Sequence, residues 1–167
     1  NGDAHVDIVT ANTSDDTVSV LLGLGDGTFD THVRYAVRDQ PYSVALVDLD
    51  GDTHMDIVTA NLGNDNVSVL LGIGDGTFAT QATHAVGSYP QSVVPGDLNG
   101  DGHADLVVAN YGSDNISVLL GIGDGTFATQ AIYAAGTDPC AVAVADLNPY
   151  APATDDFNAD MYKDLVT

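Results

Sequence analysis

Residues 97–108 read DLNGDGHADLVV, and residues 118–127 read VLLGIGDGTF. In the first stretch, oxygen-bearing side chains alternate with other residues and then give way to an apolar run. In the second, an apolar run ends in a glycine-rich turn. Short runs of Val, Ile and Leu that are bounded by Gly, Asp and Asn are typical of β-strands. The two stretches therefore predict short strands joined by tight loops.

Both stretches recur along the chain at a step of 49 residues. The step links three sets of equivalent residues: Asp48, Asp97 and Asp146; Gly25, Gly74 and Gly123; and Phe29, Phe78 and Phe127. The last copy departs from it, because Asp164 follows Asp105 by 59 residues, which places a ten-residue insertion within residues 149–158. The chain thus holds about three and a half copies, which we assign to residues 1–40, 41–89, 90–138 and 139–167.

The second copy shows the content of one repeat. Apolar runs at residues 42–47, 57–60 and 67–71, with a fourth segment at 81–86, predict four strands. The first three runs are nearly continuous rather than alternating, which favours strands covered on both faces. Four strands in a repeat of about 40–50 residues are typical of a β-propeller blade. We predict an all-β fold of blades of four antiparallel strands, as a partial propeller or open array whose first blade lacks its first strand.

The two stretches quoted above resemble the FG-GAP/VCBS repeat of bacterial surface proteins and integrin α-chain propellers. The resemblance covers the whole chain, in every copy. It implies a β-propeller, commonly seven-bladed, with calcium held in the loop between the first and second strands of a blade. It also implies glycine at the sixth position of that loop. Gly102 satisfies this pattern, whereas Thr53 and Met161 do not, so we expect strain in the turn at Thr53.

The chemistry of this loop independently predicts a calcium site. Side chains at positions one, three, five and nine carry oxygen atoms, and alternate side chains converge when a loop curls around an ion. The backbone carbonyl at position seven would complete a shell of about six or seven oxygens. Such hard donors favour calcium over zinc or copper, while magnesium retains its waters. The predicted ligands are Asp97, Asn99, Asp101, Asp105 and the carbonyl of His103 in loop 3 (residues 97–105), and Asp48, Asp50, Asp52, Asp56 and the carbonyl of His54 in loop 2 (residues 48–56).

The first and last copies carry altered loops. Loop 1 retains Asn1, Asp3 and Asp7 of the ligand pattern. The predicted ligands of the last copy are Asp156, Asn158, Asp160 and Asp164. Its insertion leaves two candidates for position one; we favour Asp156, which keeps the spacing uninterrupted, with Asp146 as an extra or competing ligand. Asx-turns without any ion are the alternative interpretation of these loops, but carboxylates gathered without a cation repel one another.

The net charge of −21 arises because all 24 acidic residues are Asp and only three residues are basic. Bound divalent cations would relieve the self-repulsion of such a chain. Phosphate contacts need clustered Lys and Arg, so a nucleic-acid partner and an anionic membrane surface are both disfavoured. No apolar run is long enough to insert across a bilayer. A single cysteine, Cys140, excludes an internal disulfide.

We expect no active site. The chain has no nucleophile-elbow or zinc-protease motif, and its clustered carboxylates are already assigned to calcium. His5, His54 and His103 recur at position seven of the loops, where the carbonyl is the predicted ligand, so we expect their imidazoles to face solvent. The glycine-rich stretch 72–76 is interpreted as a hairpin turn, because a strand rather than a helix follows it.

These features favour a non-enzymatic, calcium-stabilised scaffold or adhesion module, extracellular or at the cell surface, with glycans or cell-surface proteins as partners. The alternatives are a glycan-binding lectin propeller and the non-catalytic propeller of a larger extracellular enzyme. A lectin would use Tyr35, His84 and Tyr133, which share a repeat position, but we favour packing between blades for these rings. The triplets that begin at Asn12, Asn66 and Asn115 match the N-glycosylation pattern, with turn chemistry as an equal alternative.

Three and a half blades are too few to close a propeller, which needs about four to eight. Both ends of the array would then expose strand edges and apolar blade faces. We therefore expect the chain to pack against more of the same repeat. The missing blades of a longer propeller are the favoured partner, and other copies of the same chain are the alternative.

Overall fold

The computed structural model describes residues 1–145 and the backbone of residues 164–166. The strands of this part of the chain are β1 (Ile8–Asn12), β2 (Thr17–Leu21), β3 (Val33–Ala36), β4 (Pro41–Val47), β5 (Asp56–Asn61), β6 (Asn66–Leu70), β7 (Ala82–Ala85), β8 (Pro90–Gly96), β9 (Asp105–Asn110), β10 (Asn115–Leu119), β11 (Ala131–Ala134), β12 (Ala143–Ala145) and β13 (Asp164–Val166). A 3₁₀ turn, Tyr111–Ser113, lies between β9 and β10. No helix within the described ranges has the length and apolar character needed to cross a membrane. The predicted all-β fold is confirmed.

The strands form four antiparallel sheets, each a meander in which sequence neighbours pair. Blade 1 is the sheet β1–β3, blade 2 is β4–β7, blade 3 is β8–β11, and β12 pairs with β13 in blade 4. The pairing register repeats with the sequence, since Val58 lies opposite Val69 in blade 2 and Val107 lies opposite Val118 in blade 3. Blades 2 and 3 therefore have the four antiparallel strands that the sequence predicts.

Neighbouring blades bury their faces against each other. Successive residues of β5 point to opposite faces of the sheet, so Ile57 packs with Val18 and Val20 of blade 1. Val58 and Ala60 pack instead into the cluster shared with β9 of blade 3. Strand β9 repeats this alternation towards blades 2 and 4. Each fully buried Val or Ile side chain stabilises the stack by about 1.5–3 kcal/mol, and the continuous apolar runs are explained by burial on both faces.

The stacking brings equivalent loops together. The first strands of successive blades lie beside each other, with β4 against β8 and β8 against β12. Loop 2 connects β4 to β5 and loop 3 connects β8 to β9. Both loops therefore lie at the same end of their blades, where a glycine-rich turn follows the third strand. We name these turns turn 1 (residues 23–29), turn 2 (72–78) and turn 3 (121–127).

An aspartate staple holds the opposite end of each blade. An Asp in the hairpin between the second and third strands accepts a hydrogen bond from a backbone N–H in the linker to the next blade. The three bonds, donor first, join Gln40 to Asp16, Tyr89 to Asp65 and Asp138 to Asp114, each at 2.9 Å. All six residues have positive φ, between 52° and 57°. The staple fixes the chain direction between blades, because left-handed backbone for residues other than glycine persists only where its surroundings hold it.

Candidate metal centre

Loop 2 brings three of its predicted ligands to one point. One carboxylate oxygen from each of Asp48, Asp50 and Asp56 lies within 4.8 Å of the other two. Only oxygen donors meet there, which suits a hard divalent cation such as calcium. The donor set therefore fits the metal that the loop sequence predicts.

Backbone hydrogen bonds orient the carboxylate at position one. Asp48 accepts the N–H of Gly51 at 2.8 Å and that of Thr53 at 2.9 Å. Asp97 in loop 3 accepts the N–H groups of Gly100 and Gly102 in the same way, at 2.7 and 3.0 Å. Hydrogen bonds within the protein thus hold both loops in a tight turn around their first residue.

Position six is left-handed in each described loop. The φ angle is +65° at Ala4, +72° at Thr53 and +86° at Gly102. Glycine adopts this region without cost, whereas a β-branched residue is strained there. The strain expected at Thr53 is therefore present in the backbone of loop 2.

The carboxylate at position nine is buried and joins the loop to the glycine-rich turn. Asp56 accepts the N–H of Leu49 at 2.8 Å with Oδ2 and the N–H of Gly72 at 2.7 Å with Oδ1. Asp105 makes the equivalent bonds, both at 2.8 Å, to Leu98 and Gly121. Burial raises the pKa of Asp56, and the charges of nearby loop carboxylates raise it further. A bound cation would offset both effects, because it favours the ionised form.

The carboxylate at position five bonds to the residue at position seven. Asp52 accepts the N–H of His54 at 2.8 Å with Oδ1, and its Oδ2 lies 2.9 Å from His54 Nδ1. The backbone hydrogen bond from His54 lowers the pKa of Asp52, so this group stays ionised. Asp101 accepts the N–H of His103 in the same manner, also at 2.8 Å. Of the four carboxylates predicted for loop 2, three form the cluster, and Asp52 bonds to His54 beside it.

Loops 1 and 3 share parts of the hydrogen-bond pattern of loop 2, whereas most ligands of the last copy lie outside the described residues. Loop 1 repeats the local pattern, since Asp3 accepts the N–H of His5 at 2.8 Å and Asp7 accepts that of Gly23 at 2.8 Å. In loop 3, Asn99 donates through Nδ2 to Asp101 at 2.9 Å. The ligands predicted for the last copy, Asp156, Asn158 and Asp160, lie outside the described residues together with Asp146, and Asp164 is described only as backbone of β13.

The imidazoles at position seven pack against the glycine-rich turns. The His54 ring lies directly over the Cα of Gly74, leaving no room for a side chain there, and the His5 and His103 rings cover Gly25 and Gly123 equally closely. The side chain of His54 is 43% exposed. The expectation that these rings face solvent is wrong for the face of each ring that lies against a glycine-rich turn. Only glycine at that position of the turn leaves room for the ring.

Replacing Gly74 with Ala is expected to destabilise the fold more than replacing Gly51. Both residues have positive φ, +87° and +78°, so each Ala costs about 1–2 kcal/mol of backbone strain. Only the Cβ at position 74 would collide with the His54 ring, whereas position 51 has nothing within 4 Å. The collision should add about 1–3 kcal/mol. Urea unfolding of the two variants measures the difference, and equal losses would show that the ring moves aside freely.

Two of the three aromatic residues at the shared repeat position pack between blades, as predicted. The Tyr35 ring of blade 1 meets Phe78 of blade 2 edge to face at 5.2 Å, and His84 of blade 2 meets Phe127 of blade 3 at 5.0 Å. Tyr133 remains 54% exposed. Two of the three rings are therefore not free to act as sugar platforms.

The N-glycosylation triplets lie in a polar network between strands. Asn12 donates through Nδ2 to Thr17 and Ser19, at 3.0 and 2.8 Å. Asn66 and Asn115 accept through Oδ1 from the asparagine of the preceding strand. Sequence analysis missed this network, whose signal is the recurrence of Asn and Ser within otherwise apolar strands. A glycan on Asn12 would replace one Nδ2 hydrogen and so remove one of these two hydrogen bonds, and glycosylation stays a prediction.

Comparison with known proteins places the repeat in a family. No curated protein matches the chain. Among solved structures, the fold is similar to part of a mutant Photorhabdus luminescens Tc holotoxin pore, with a TM-score of 0.49 and 20% identity over 83% of this chain. The match spans only 7% of that chain. The model of the FG-GAP-like repeat matches residues 1–59, 48–108 and 97–167, so this chain belongs to the FG-GAP-like repeat family.

Proposed function

We propose that this chain is a non-enzymatic extracellular scaffold or adhesion module, at or near the cell surface, whose blades are stabilised by calcium. The observation that carries the proposal is the convergence of Asp48, Asp50 and Asp56 oxygens within 4.8 Å in loop 2. The repeated pattern of loop 3 supports a second site of the same kind. Extracellular modules bind calcium with dissociation constants of about 10⁻⁴–10⁻³ M, a range such surface loops can reach.

Calcium would act on stability rather than on a reaction. In loop 2 the carboxylates of Asp48, Asp50 and Asp56 and the carbonyl of His54 would hold it. The ion would remove the repulsion among these groups and the penalty of a buried charge on Asp56. At about a hundred times its dissociation constant, each ion stabilises the fold by roughly 2.7 kcal/mol. Rigid blades of this kind would then present their outer surfaces to glycans or cell-surface proteins.

Replacing Asp101 with Ala is expected to remove one bound calcium ion and to leave the ion in loop 2 in place. Asp101 is a predicted ligand of loop 3 and also holds the N–H of His103, the residue whose carbonyl is the predicted ligand at position seven. Loops 2 and 3 share no predicted ligand. Isothermal titration calorimetry counts the ions bound by the variant and the parent chain.

The control for that experiment is Asp15→Ala. Asp15 is an exposed carboxylate in the hairpin between β1 and β2, 3.3 Å from the Arg34 guanidinium, and is not a predicted ligand. It should leave the number of ions unchanged. Loss of both ions in the Asp101 variant would mean that the ligands are misassigned, and no calcium binding in the parent chain would refute the proposal itself.

The leading face of blade 1, formed by Ile8, Leu21 and Phe29, supports a further blade as partner. Ile8 is 37% exposed, whereas its repeat equivalents Ile57 and Leu106 are fully buried against the preceding blade. Phe29 is 38% exposed, although the Phe residues at its position in blades 2 and 3 each pack on a ring of the blade before. We propose that in the isolated chain another copy supplies this blade.

Sedimentation velocity should therefore show self-association of the chain in calcium, weakened by Ile8→Asp. An aspartate on the leading face would be buried without a partner in the assembly, at a cost of several kcal/mol. Ile132→Asp is the control, because Ile132 lies on β11 of blade 3 and is already 59% exposed. A monomer at every concentration, or equal effects of the two variants, contradicts the proposed contact.

A further inference from the structure

Turn 3 contacts two metal loops at once. It belongs to blade 3 and is held by loop 3, because the His103 ring covers Gly123 and Asp105 accepts the N–H of Gly121 at 2.8 Å. It also reaches into blade 2, where the N–H of Gly125 donates to the carbonyl of Leu49 at 3.2 Å. Leu49 is the second residue of loop 2. A continuous set of contacts thus joins the two loops.

Leu49 is also hydrogen-bonded to the carboxylate cluster of loop 2. Leu49 is 3% exposed, and its N–H is held by Asp56, a member of the cluster. Its carbonyl faces the neighbouring blade and accepts from Gly125. A change that restrains Asp56 therefore also restrains the Leu49 carbonyl, which accepts the N–H of Gly125 in turn 3.

The close approach at Gly125 is a repeated feature. A Cβ on Gly125 would lie 2.9 Å from Leu71 of blade 2, and a Cβ on Gly76 would lie 3.1 Å from Leu22 of blade 1. Leu71 and Leu22 are repeat equivalents, as are the two glycines. In turns 2 and 3, a glycine thus allows the turn to pack closely against the preceding blade.

We infer that the metal loops of neighbouring blades are energetically coupled through the glycine-rich turn between them. This inference rests on the calcium proposal. An ion in loop 2 fixes Asp56, which fixes Leu49 and so orders turn 3, and an ordered turn 3 holds His103 and Asp105 in the positions that loop 3 needs. Because coupling of binding is reciprocal, an ordered loop 3 favours binding in loop 2 to the same extent.

Amide hydrogen exchange of Gly125 provides the first test. Calcium should slow this exchange in the full chain, and Asp48→Asn, which impairs loop 2, should abolish most of the slowing although Gly125 belongs to blade 3. The matched variant Asp97→Asn changes the same position of loop 3 and identifies the contribution of the turn's own blade. If Asp48→Asn leaves the calcium-dependent protection of Gly125 unchanged, the two loops are not coupled.

His103→Ala tests the reverse direction without removing a predicted ligand side chain. We expect it to raise the calcium dissociation constant of loop 2 by about five-fold or more, the lower end of ordinary coupling. The amide signals of Gly51 and Gly100, which belong to loops 2 and 3, report each site during a calcium titration. His32→Ala, an exposed histidine outside the loops, is the control. An effect confined to Gly100 overturns the coupling alone, whereas the absence of any calcium response in the parent chain overturns the calcium proposal.

Discussion

Chelation of calcium is expected to lower the free energy of unfolding by about 5 kcal/mol, because loops 2 and 3 would each lose roughly 2.7 kcal/mol of binding energy. For a chain of this size, that loss corresponds to a fall in melting temperature of about 10–20 °C. The physical cause is the repulsion that returns among carboxylate oxygens within 4.8 Å of one another in loop 2. We expect a larger effect than from a single core substitution such as Val58→Ala. Differential scanning calorimetry in calcium at about a hundred times its dissociation constant, and in excess chelator, measures the difference.

Magnesium is the control for chelation. It keeps its waters and demands regular octahedral geometry, so it should restore only part of the lost stability. The same melting temperature with calcium and with chelator would refute a structural role for the ion. Full restoration by magnesium, or by salt alone, would instead assign the effect to screening of the net charge of −21.

Sequence periodicity predicts the fold well because one physical requirement is repeated in every copy. A strand between two sheets must be apolar on both faces, and this requirement produces the runs at β5 and β9. The step of 49 residues then locates the equivalent strands, and the predicted strand ends of the second copy differ from the observed ones by at most one residue. The ligand spacing of loop 2 likewise predicts the convergence of Asp48, Asp50 and Asp56.

The remaining features depend on contacts that spacing within one copy does not specify. The Asp52 carboxylate bonds to His54, two residues away, although alternation alone places it with the other ligands. The staple in which Tyr89 donates to Asp65 fixes the linker between two blades, and the bond from Gly125 to Leu49 joins two blades. Such contacts follow from how blades stack, and the sequence shows them only as recurrent Asp and Gly residues without an evident partner.

Asp56→Ala is expected to be the most damaging single substitution in the loops, because Asp56 is both a proposed ligand and a structural acceptor. Removing it leaves the N–H groups of buried Leu49 and half-buried Gly72 without their partner, which costs about 1–3 kcal/mol for each group. Relief of a buried charge offsets part of this cost, since the pKa of Asp56 is raised by burial. We expect a net loss of about 2–4 kcal/mol that persists in excess chelator.

The matched variant Asp50→Ala separates the two roles of Asp56. Asp50 belongs to the same cluster, but the hydrogen bond it accepts, from the N–H of Asp52, is long at 3.2 Å and lies at the exposed surface. Its replacement should therefore weaken calcium binding and leave the chelated protein about as stable as before. Urea unfolding of the parent chain and of both variants, each with and without calcium, gives the six free energies of unfolding that are compared. Equal stabilities of the two variants in chelator would contradict the structural role, because then the hydrogen bonds from Leu49 and Gly72 would contribute nothing beyond their part in holding the ion.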